Sequence, residues 1–251
     1  MGLYSYGVEL GADAALINAG TVTSRYGAHA VLFAGNDRLV IEQGAVFNGG
    51  LDFETTNNSL ELAASSGTIS AYGFDSITID ASASWTMTGN SASIAIDGSG
   101  TITNTGSLAG AVAARLEAGG AFTNAAGGVI DGTVYGVATA HTVTNLGKIT
   151  SSSGPAIIAG NFAQVVNAGN ITGTGGVAVK LAGGSRLVVD PGAAFGGSVI
   201  AQGSYNTLEL ATARSGSIGG LVTNFVGFDT VALAAPPTGR SPAITRWGRI
   251  H

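Results

Sequence analysis

The sequence predicts an all-β fold, a parallel β-helix (β-solenoid) with about 20–22 residues per coil, where a coil is one turn of the chain around the axis. An octet with a fixed Asn-x-Gly recurs along the chain, and two long blocks recur about seven coils apart. Apolar residues also alternate with polar ones and never settle into helical spacing. Together these patterns indicate short stacked strands joined by glycine-rich corners.

The octet is VTNLGKIT at 143–150, and its close variants are LINAGTVT at 16–23, ITNTGSLA at 102–109 and VVNAGNIT at 165–172. Alternate residues of a strand point to opposite faces. The apolar positions are therefore predicted to face inward and the polar position to face outward. The inward set is Leu16, Ile102, Val143 and Val165 before the asparagine and Val22, Leu108, Ile149 and Ile171 after it; the outward set is Thr21, Ser107, Lys148 and Asn170.

The spacing of the asparagines sets the period. The variant FTNAAGGVI at 122–130 keeps Phe122 and Asn124, and Asn104, Asn124, Asn145 and Asn167 are separated by 20, 21 and 22 residues. Asn18 precedes Asn104 by 86 residues, or four coils of about 21.5. About a dozen coils at a rise of roughly 4.8 Å would form a rod on the order of 55 Å long.

Two roles are open to Asn-x-Gly. Its side-chain amides could bind sugars, but the regular spacing favours a structural corner. Asn and Gly both tolerate positive φ, and asparagine amides stacked on successive coils can hydrogen-bond as a ladder.

A longer repeat is superimposed on the octets. GNDRLVIEQGAVFNGG at 35–50 matches GGSRLVVDPGAAFGGS at 183–198, and YGFDSITID at 72–80 corresponds to VGFDTVALA at 226–234. A duplicated block that spans whole coils would keep strand register. We predict one repeat domain, residues 1–235, with duplicated blocks 17–80 and 165–234. Residues 236–251 form a tail that contains Pro and Arg, and the tail is expected to be poorly ordered.

Composition limits the possible functions. The chain has 251 residues, 41 of them Gly, and 45% are hydrophobic, which disfavours a disordered tract. A net charge of −5 without a basic stripe disfavours nucleic acid as a partner. The absence of Cys excludes disulfides and thiolate metal sites, and three His leave little material for a histidine site.

The candidate catalytic residues are Asp52 and Glu54 of LDFE, which share a strand face and could act as paired carboxylates in glycoside hydrolysis. The aligned positions of the second block are Ile200 and Gln202, which carry no carboxylate. A solvated strand face is therefore favoured, and we predict no catalytic residue.

No metal or cofactor site is predicted. The segment GNDRL at 35–39 is similar to the calcium repeats of RTX toxins, but it stands alone, and Ser185 replaces Asp37 in the second block. His29 aligns with Val177, which argues against an essential base, and His141 is predicted at a strand exit.

Thr-x-Thr pairs could form a flat hydroxyl array like that of ice-binding solenoids. The pairs are Thr21/Thr23, Thr101/Thr103 and Thr142/Thr144, and the coils at 122–130 and 165–172 do not continue them. They are therefore interpreted as ordinary outward β-branched positions.

The octets, the phrase GFDSITIDASASWTMTGN at 73–90 and the RLVI(D/E)xGAxFxG block resemble the passenger regions of type V autotransporters of Gram-negative bacteria. The resemblance covers roughly residues 7–234 and implies a right-handed single-stranded parallel β-helix at the cell surface. No secretion signal and no C-terminal membrane barrel are visible. The resemblance therefore implies a passenger fragment or a truncated reading frame.

The expected function is a surface-exposed structural or adhesive passenger segment without catalysis, located outside the cell or on the bacterial surface. Its expected partners are host or bacterial surface glycans or proteins, or further copies of itself, with membrane attachment only through a separate barrel. A carbohydrate-active β-helix enzyme, a polysaccharide lyase or hydrolase, and a calcium-binding repeat protein are the alternatives.

Overall fold

The computed structural model describes residues 5–25, 29–63, 66–70, 73–92, 95–116, 120–139, 141–211 and 224–234, and all regular elements within them are β-strands. In these ranges no helix is long and apolar enough to cross a bilayer. The first strands are β1 (Tyr6–Leu10), β2 (Ala15–Asn18), β3 (Thr21–Thr23), β4 (His29–Phe33), β5 (Arg38–Ile41), β6 (Val46–Asn48), β7 (Gly50–Phe53), β8 (Ser59–Leu62), β9 (Ser66–Ser70), β10 (Ser76–Ile79), β11 (Ser84–Thr88), β12 (Asn90–Ala92) and β13 (Ala95–Gly98). The later strands are β14 (Thr101–Asn104), β15 (Ser107–Leu116), β16 (Ala121–Asn124), β17 (Val129–Thr139), β18 (Thr142–Asn145), β19 (Lys148–Ser151), β20 (Ile157–Ala159), β21 (Gln164–Asn167), β22 (Asn170–Leu181), β23 (Arg186–Val189), β24 (Ala194–Ala201), β25 (Thr207–Leu210), β26 (Phe225–Val226) and β27 (Thr230–Leu233).

The strands stack in parallel into about nine coils of roughly 21 residues, which confirms the predicted β-solenoid and its period. The sequence predicts about a dozen coils for the whole chain, whereas this count covers the described residues. Nine coils form a stack on the order of 40 Å long. The sheets run β27-β25-β23-β21-β18-β16-β14-β11-β9, β12-β15-β17-β19-β22-β24-β26 with β20 beside β17 and β22, β13-β10-β8-β5-β2, β1-β4-β7, and β3-β6.

The inward positions predicted from the octets form the centre of the core. Val143 pairs with Phe122 on one side and Val165 on the other, and all three side chains are fully buried. Lys148, by contrast, is exposed on the outer surface. The alternation of apolar and polar residues therefore predicted the facing of these strands correctly.

The two duplicated blocks lie on different faces of the solenoid. RLVI of the first block is β5 in the five-stranded sheet, whereas RLVV of the second is β23 in the nine-stranded sheet. Strands β8 and β9 follow each other within one coil and belong to these two sheets, so the sheets are separate faces. The expectation that the blocks are related by whole coils is therefore wrong. The two blocks keep the same local contacts, although they lie on different faces.

Those local contacts are repeated between the blocks. In the Gly-Phe-Asp phrase the glycine has positive φ, 86° at Gly73 and 83° at Gly227, and the phenylalanine that follows is buried. The aspartate then accepts a hydrogen bond from a backbone N–H of the preceding coil, 3.1 Å long in both copies. The phrase is therefore a corner motif. The predicted tail at 236–251 lies outside the described residues.

Candidate functional site

The asparagines of the octet form a buried ladder along the nine-stranded sheet. The side-chain Nδ2 of Asn104 donates to Oδ1 of Asn124 at 2.9 Å, Asn124 donates to Asn145 at 2.9 Å, and Asn145 donates to Asn167 at 2.8 Å. All four side chains are fully buried. The predicted amide ladder is confirmed, and it occupies these amides internally, so they are not exposed to bind a sugar.

Asn18 does not belong to this ladder, although it lies in the same octet. Its strand β2 is in the five-stranded sheet, where Asn18 pairs with Ile41. Its Nδ2 is buried and has no hydrogen-bond partner among the described residues. The spacing of about four coils between Asn18 and Asn104 does not place them in one column, because their strands lie on different faces.

The glycine of Asn-x-Gly is required for a different reason from the one predicted. None of Gly106, Gly147 and Gly169 has positive φ, and neither do the ladder asparagines. A Cβ on Gly147 would instead lie 2.3 Å from the carbonyl O of Gly128 in the preceding coil. The asparagine turns the chain through its side chain, since Oδ1 of Asn167 accepts from the N–H of Gly169 at 3.1 Å. The corner is therefore an Asx turn packed tightly on the coil before it.

The segment proposed for comparison with calcium repeats also faces inward. Asp37 is fully buried, and its two carboxylate oxygens accept from the N–H groups of Ala14 at 2.8 Å and Gly35 at 3.0 Å. Its counterpart Ser185 is buried too and donates to the carbonyl of Gly160 at 2.9 Å. Both side chains bind backbone, and in the part of the chain that the structure describes no group of three or more His, Asp or Glu could hold a metal ion.

The structure brings one of the candidate carboxylates together with two other polar side chains. Tyr6 of β1 donates its phenol to Oδ2 of Asp52 at 3.2 Å, and Nδ1 of His29 in β4 lies 3.8 Å from the same oxygen. The Tyr6 and His29 rings are 5.9 Å apart. Glu54 follows the end of β7 and is exposed. This polar stack spans three coils, and Tyr6 could have been found from its spacing, since 6, 29 and 52 are 23 apart.

The stack has one electrostatic consequence. Burial raises the pKa of the Tyr6 phenol, and the hydrogen bond to Asp52 and the negative charges of Asp52, Glu54 and Glu9 raise it further. A raised folded-state pKa means that this group stabilises the fold below its unfolded pKa, and the contribution is lost as the pH rises through the folded pKa. The phenol therefore acts as a donor at neutral pH.

We expect Asp52→Asn to lower the pKa of Tyr6 toward the ordinary tyrosine value, because the substitution removes the nearest negative charge. A tyrosinate absorbance titration measures the change, with Tyr6→Phe identifying the signal of this one phenol. Glu42→Gln is the control, since Glu42 does not contribute to the Tyr6 shift. An unchanged titration in Asp52→Asn would contradict the hydrogen bond.

The structure describes one further histidine, His141. His141 is partly exposed and lies between β17 and β18, where its backbone N–H donates to Oγ1 of Thr139 at 3.0 Å. His251 lies outside the described residues.

Hydroxyl side chains form a regular outer surface on the nine-stranded sheet. One outward column is threonine on five consecutive coils, and the column two residues earlier carries a hydroxyl on four of the same five coils. Adjacent coils are about 4.8 Å apart and the two columns about 6.6 Å apart. We call this surface the hydroxyl face; it consists of Thr68, Thr86, Thr103, Thr123 and Thr144 with Ser66, Ser84, Thr101, Ala121 and Thr142.

The hydroxyl face is more continuous than the Thr-x-Thr pairs predict. Thr123 continues one column through the coil at 122–130, where the sequence suggested an interruption. The pairs Ser66/Thr68 and Ser84/Thr86 were missed because serine was not counted. The predicted interruption at 165–172 is present, because Val166 pairs with Thr144 and ends the threonine column.

Parallel pairing and the coil repeat define the class of protein, a parallel β-solenoid repeat protein. No protein-family model, curated protein or solved structure matches the chain. The autotransporter resemblance therefore stays a prediction from residue patterns.

Proposed function

We propose that this chain is an adhesive and structural segment of an autotransporter-like surface protein, and that the hydroxyl face is its contact surface. The single observation that carries the proposal is the threonine column on five consecutive coils. A flat array of identical groups can bind a partner through many equivalent weak contacts, which add without any deep pocket.

The rest of the molecule supports a rod that presents such a face. The asparagine ladder and the buried column of Ile102, Phe122, Val143 and Val165 join one coil to the next. These contacts hold the outer columns in register, since a slip of one residue would turn the threonines inward. In this proposal the interior supplies rigidity and the outer face supplies binding.

Surface display tests the proposal. The full chain, attached to a bacterial outer-membrane anchor, should make cells bind to cultured epithelial cells or to each other. The triple variant Thr86→Glu, Thr103→Glu, Thr123→Glu should lower the bound fraction by roughly tenfold, because it places repelling, hydrated charges on the contact face. The matched control is Ser76→Glu with Thr78→Glu, on outward positions of the five-stranded sheet.

Adhesion that the triple variant leaves unchanged would contradict the assignment of the hydroxyl face. Displayed, folded protein that confers no adhesion at all would contradict the adhesive function.

The proposal assigns no catalytic step to the chain. Incubation of the purified protein with polysaccharides should release neither reducing ends nor unsaturated uronides. Release that is abolished by Asp52→Ala or Glu54→Ala would overturn this part of the proposal in favour of a carbohydrate-active β-helix enzyme.

A further inference from the structure

We propose that Phe162 and Tyr205 form a stacking site for a neutral glycan chain at the corner that leads into the nine-stranded sheet. These two side chains are 83% and 86% exposed, the highest values among the large hydrophobic side chains that the structure describes. They lie two coils apart in one column. Gln164, Arg186 and Thr207 pair in register on three successive coils, and Phe162, Gly184 and Tyr205 each lie two residues before one of them. Two coils correspond to roughly 9.6 Å.

Both residues adopt a backbone conformation that bulky side chains rarely accept. Phe162 has φ 59° and Tyr205 has φ 66°, in the left-handed region. Positive φ in a bulky non-glycine residue is an outlier that persists only where the surrounding structure holds it. Aromatic side chains at these positions therefore have a cost in strain without the benefit of burial.

The corner that leads into the five-stranded sheet shows what the same position contains when it carries no aromatic residue. The equivalent column there is Asp13, Asn36 and Asn57, with φ values of 63°, 56° and 67°. Asp and Asn are the residues that tolerate this region best after glycine. The fold therefore requires the conformation and not the ring, and the aromatic pair is specific to the corner before the nine-stranded sheet.

Hydrogen bonds hold the aromatic corners in place. The N–H of Phe162 donates to the carbonyl of Gly183 at 3.0 Å, and the N–H of Gly184 donates to that of Ser204 at 2.8 Å. Asn206, beside Tyr205, is fully buried, accepts from the N–H of Ser185 at 3.0 Å and donates to the carbonyl of Gln202 at 2.9 Å. The rings are thus presented from a rigid backbone, which lowers the entropy lost on binding.

Glycine backbones lie close together in this corner, and one of them lies under the Phe162 ring. A Cβ on Gly184 would lie 2.5 Å from Cδ1 and 2.6 Å from Cε1 of Phe162, so this ring lies over the Gly184 backbone. A Cβ on Gly203 would lie 3.1 Å from Cα of Gly183, so these backbones are also close. A side chain at Gly184 would displace the Phe162 ring.

The chemistry of the three corners favours a neutral sugar. Residues 160–162, 182–184 and 202–205 carry no charged side chain, and Arg186, two residues beyond Gly184, is paired with Glu209. The electron-rich face of an aromatic ring attracts the polarised C–H groups of a pyranose face. Exposed Asn161, Gln202 and Ser204 offer donors and acceptors to its hydroxyl groups.

This inference deepens the proposed adhesive function and rests on it for biological meaning, but its test is separate. The full chain is titrated by calorimetry with neutral hexasaccharides, namely cellohexaose, chitohexaose, laminarihexaose and maltohexaose, and with a heparin hexasaccharide as the acidic probe. We expect at least one neutral probe to bind. Phe162→Asn and Tyr205→Asn should each weaken binding by roughly tenfold, and the double variant should abolish it.

The asparagine variants separate binding from folding. Because Asn36 and Asn57 adopt the same conformation at the corner before the five-stranded sheet, both variants should keep or raise the urea midpoint of unfolding. Gly184→Asn should also fold and should weaken binding by moving the Phe162 ring. The matched control is Ile17→Thr, which removes an apolar side chain that is 61% exposed on β2, and it should leave binding unchanged.

Three results would overturn the glycan site: no binding of any neutral probe, binding that survives the double variant, or binding of the heparin probe alone. Sedimentation measurements in which the double variant abolishes self-association, without glycan binding, would assign the rings to a second copy of the chain and also overturn it. Glycan binding that depends on both rings, in a protein that confers no adhesion on display, would support the site and refute the adhesive function.

Discussion

Gly147→Ala is expected to destabilise the protein by about 3 kcal/mol or more, the upper range for overpacking a closely packed position. The added Cβ would lie 2.3 Å from the carbonyl O of Gly128, 2.5 Å from that of Ala125 and 2.8 Å from Nδ2 of Asn124. Two of these atoms are backbone and the third belongs to the buried ladder. Relief would therefore require two coils to separate. Urea unfolding followed by far-UV circular dichroism measures the change.

Gly20→Ala is the matched control, because Gly20 occupies the same place in LINAGTVT. The N–H of Gly20 donates to Oδ1 of Asn18 at 3.0 Å, as in the other Asx turns, but no atom lies within 4 Å of a Cβ placed there. We expect this variant to change stability by no more than about 0.5 kcal/mol. Equal losses at Gly20 and Gly147 would show that the turn conformation, and not the packing of coils, requires glycine.

The fold could be predicted from the sequence because its signals are local and periodic. The inward facing of Val143 and the outward facing of Lys148 follow from alternation within one octet, and the amide ladder follows from asparagines spaced by about one coil. Successive coils bury the same inward positions with nearly the same residue types. The facing of residues in one octet therefore predicts their facing in the octets of other coils.

Features that depend on the course of the chain between repeats could not be predicted. The similarity of RLVI and RLVV does not show which face each strand joins, because the corners between the strands decide how far the chain rotates around the axis. The number of coils has the same dependence. The Asn-x-Gly corner was assigned positive φ because isolated turns use Asn and Gly in that way, whereas here a neighbouring backbone excludes Cβ.

The surface sites were hidden for a different reason. Asp52 was paired in sequence with Glu54, but its contacts are with His29 one coil away and Tyr6 two coils away. The signal was the recurrence of polar residues at the coil period. Phe162 and Tyr205 carried a comparable signal, as aromatic residues at corners where the column before the five-stranded sheet has Asp or Asn.

Asn145→Ala is expected to destabilise the protein by about 2–4 kcal/mol. The substitution removes hydrogen bonds of about 1 kcal/mol each, and it leaves the buried Oδ1 of Asn167 with fewer donors. Asn145 donates to Oδ1 of Asn167 at 2.8 Å and to the carbonyl of Asn170 at 3.2 Å, and it accepts from Asn124 at 2.9 Å. It is therefore an internal rung that joins three coils. The unfolding midpoint in urea measures the loss.

Asn18→Ala provides the comparison within the same motif. Asn18 accepts from the N–H of Gly20 at 3.0 Å, but its Nδ2 has no partner among the described residues. Only the Asx turn is lost there, so we expect a cost of about 1 kcal/mol. A ladder that couples coils requires the Asn145 variant to lose clearly more stability than the Asn18 variant. Equal losses would assign the asparagine a role in its own turn alone, and the contacts between coils would then rest on backbone pairing and the apolar column.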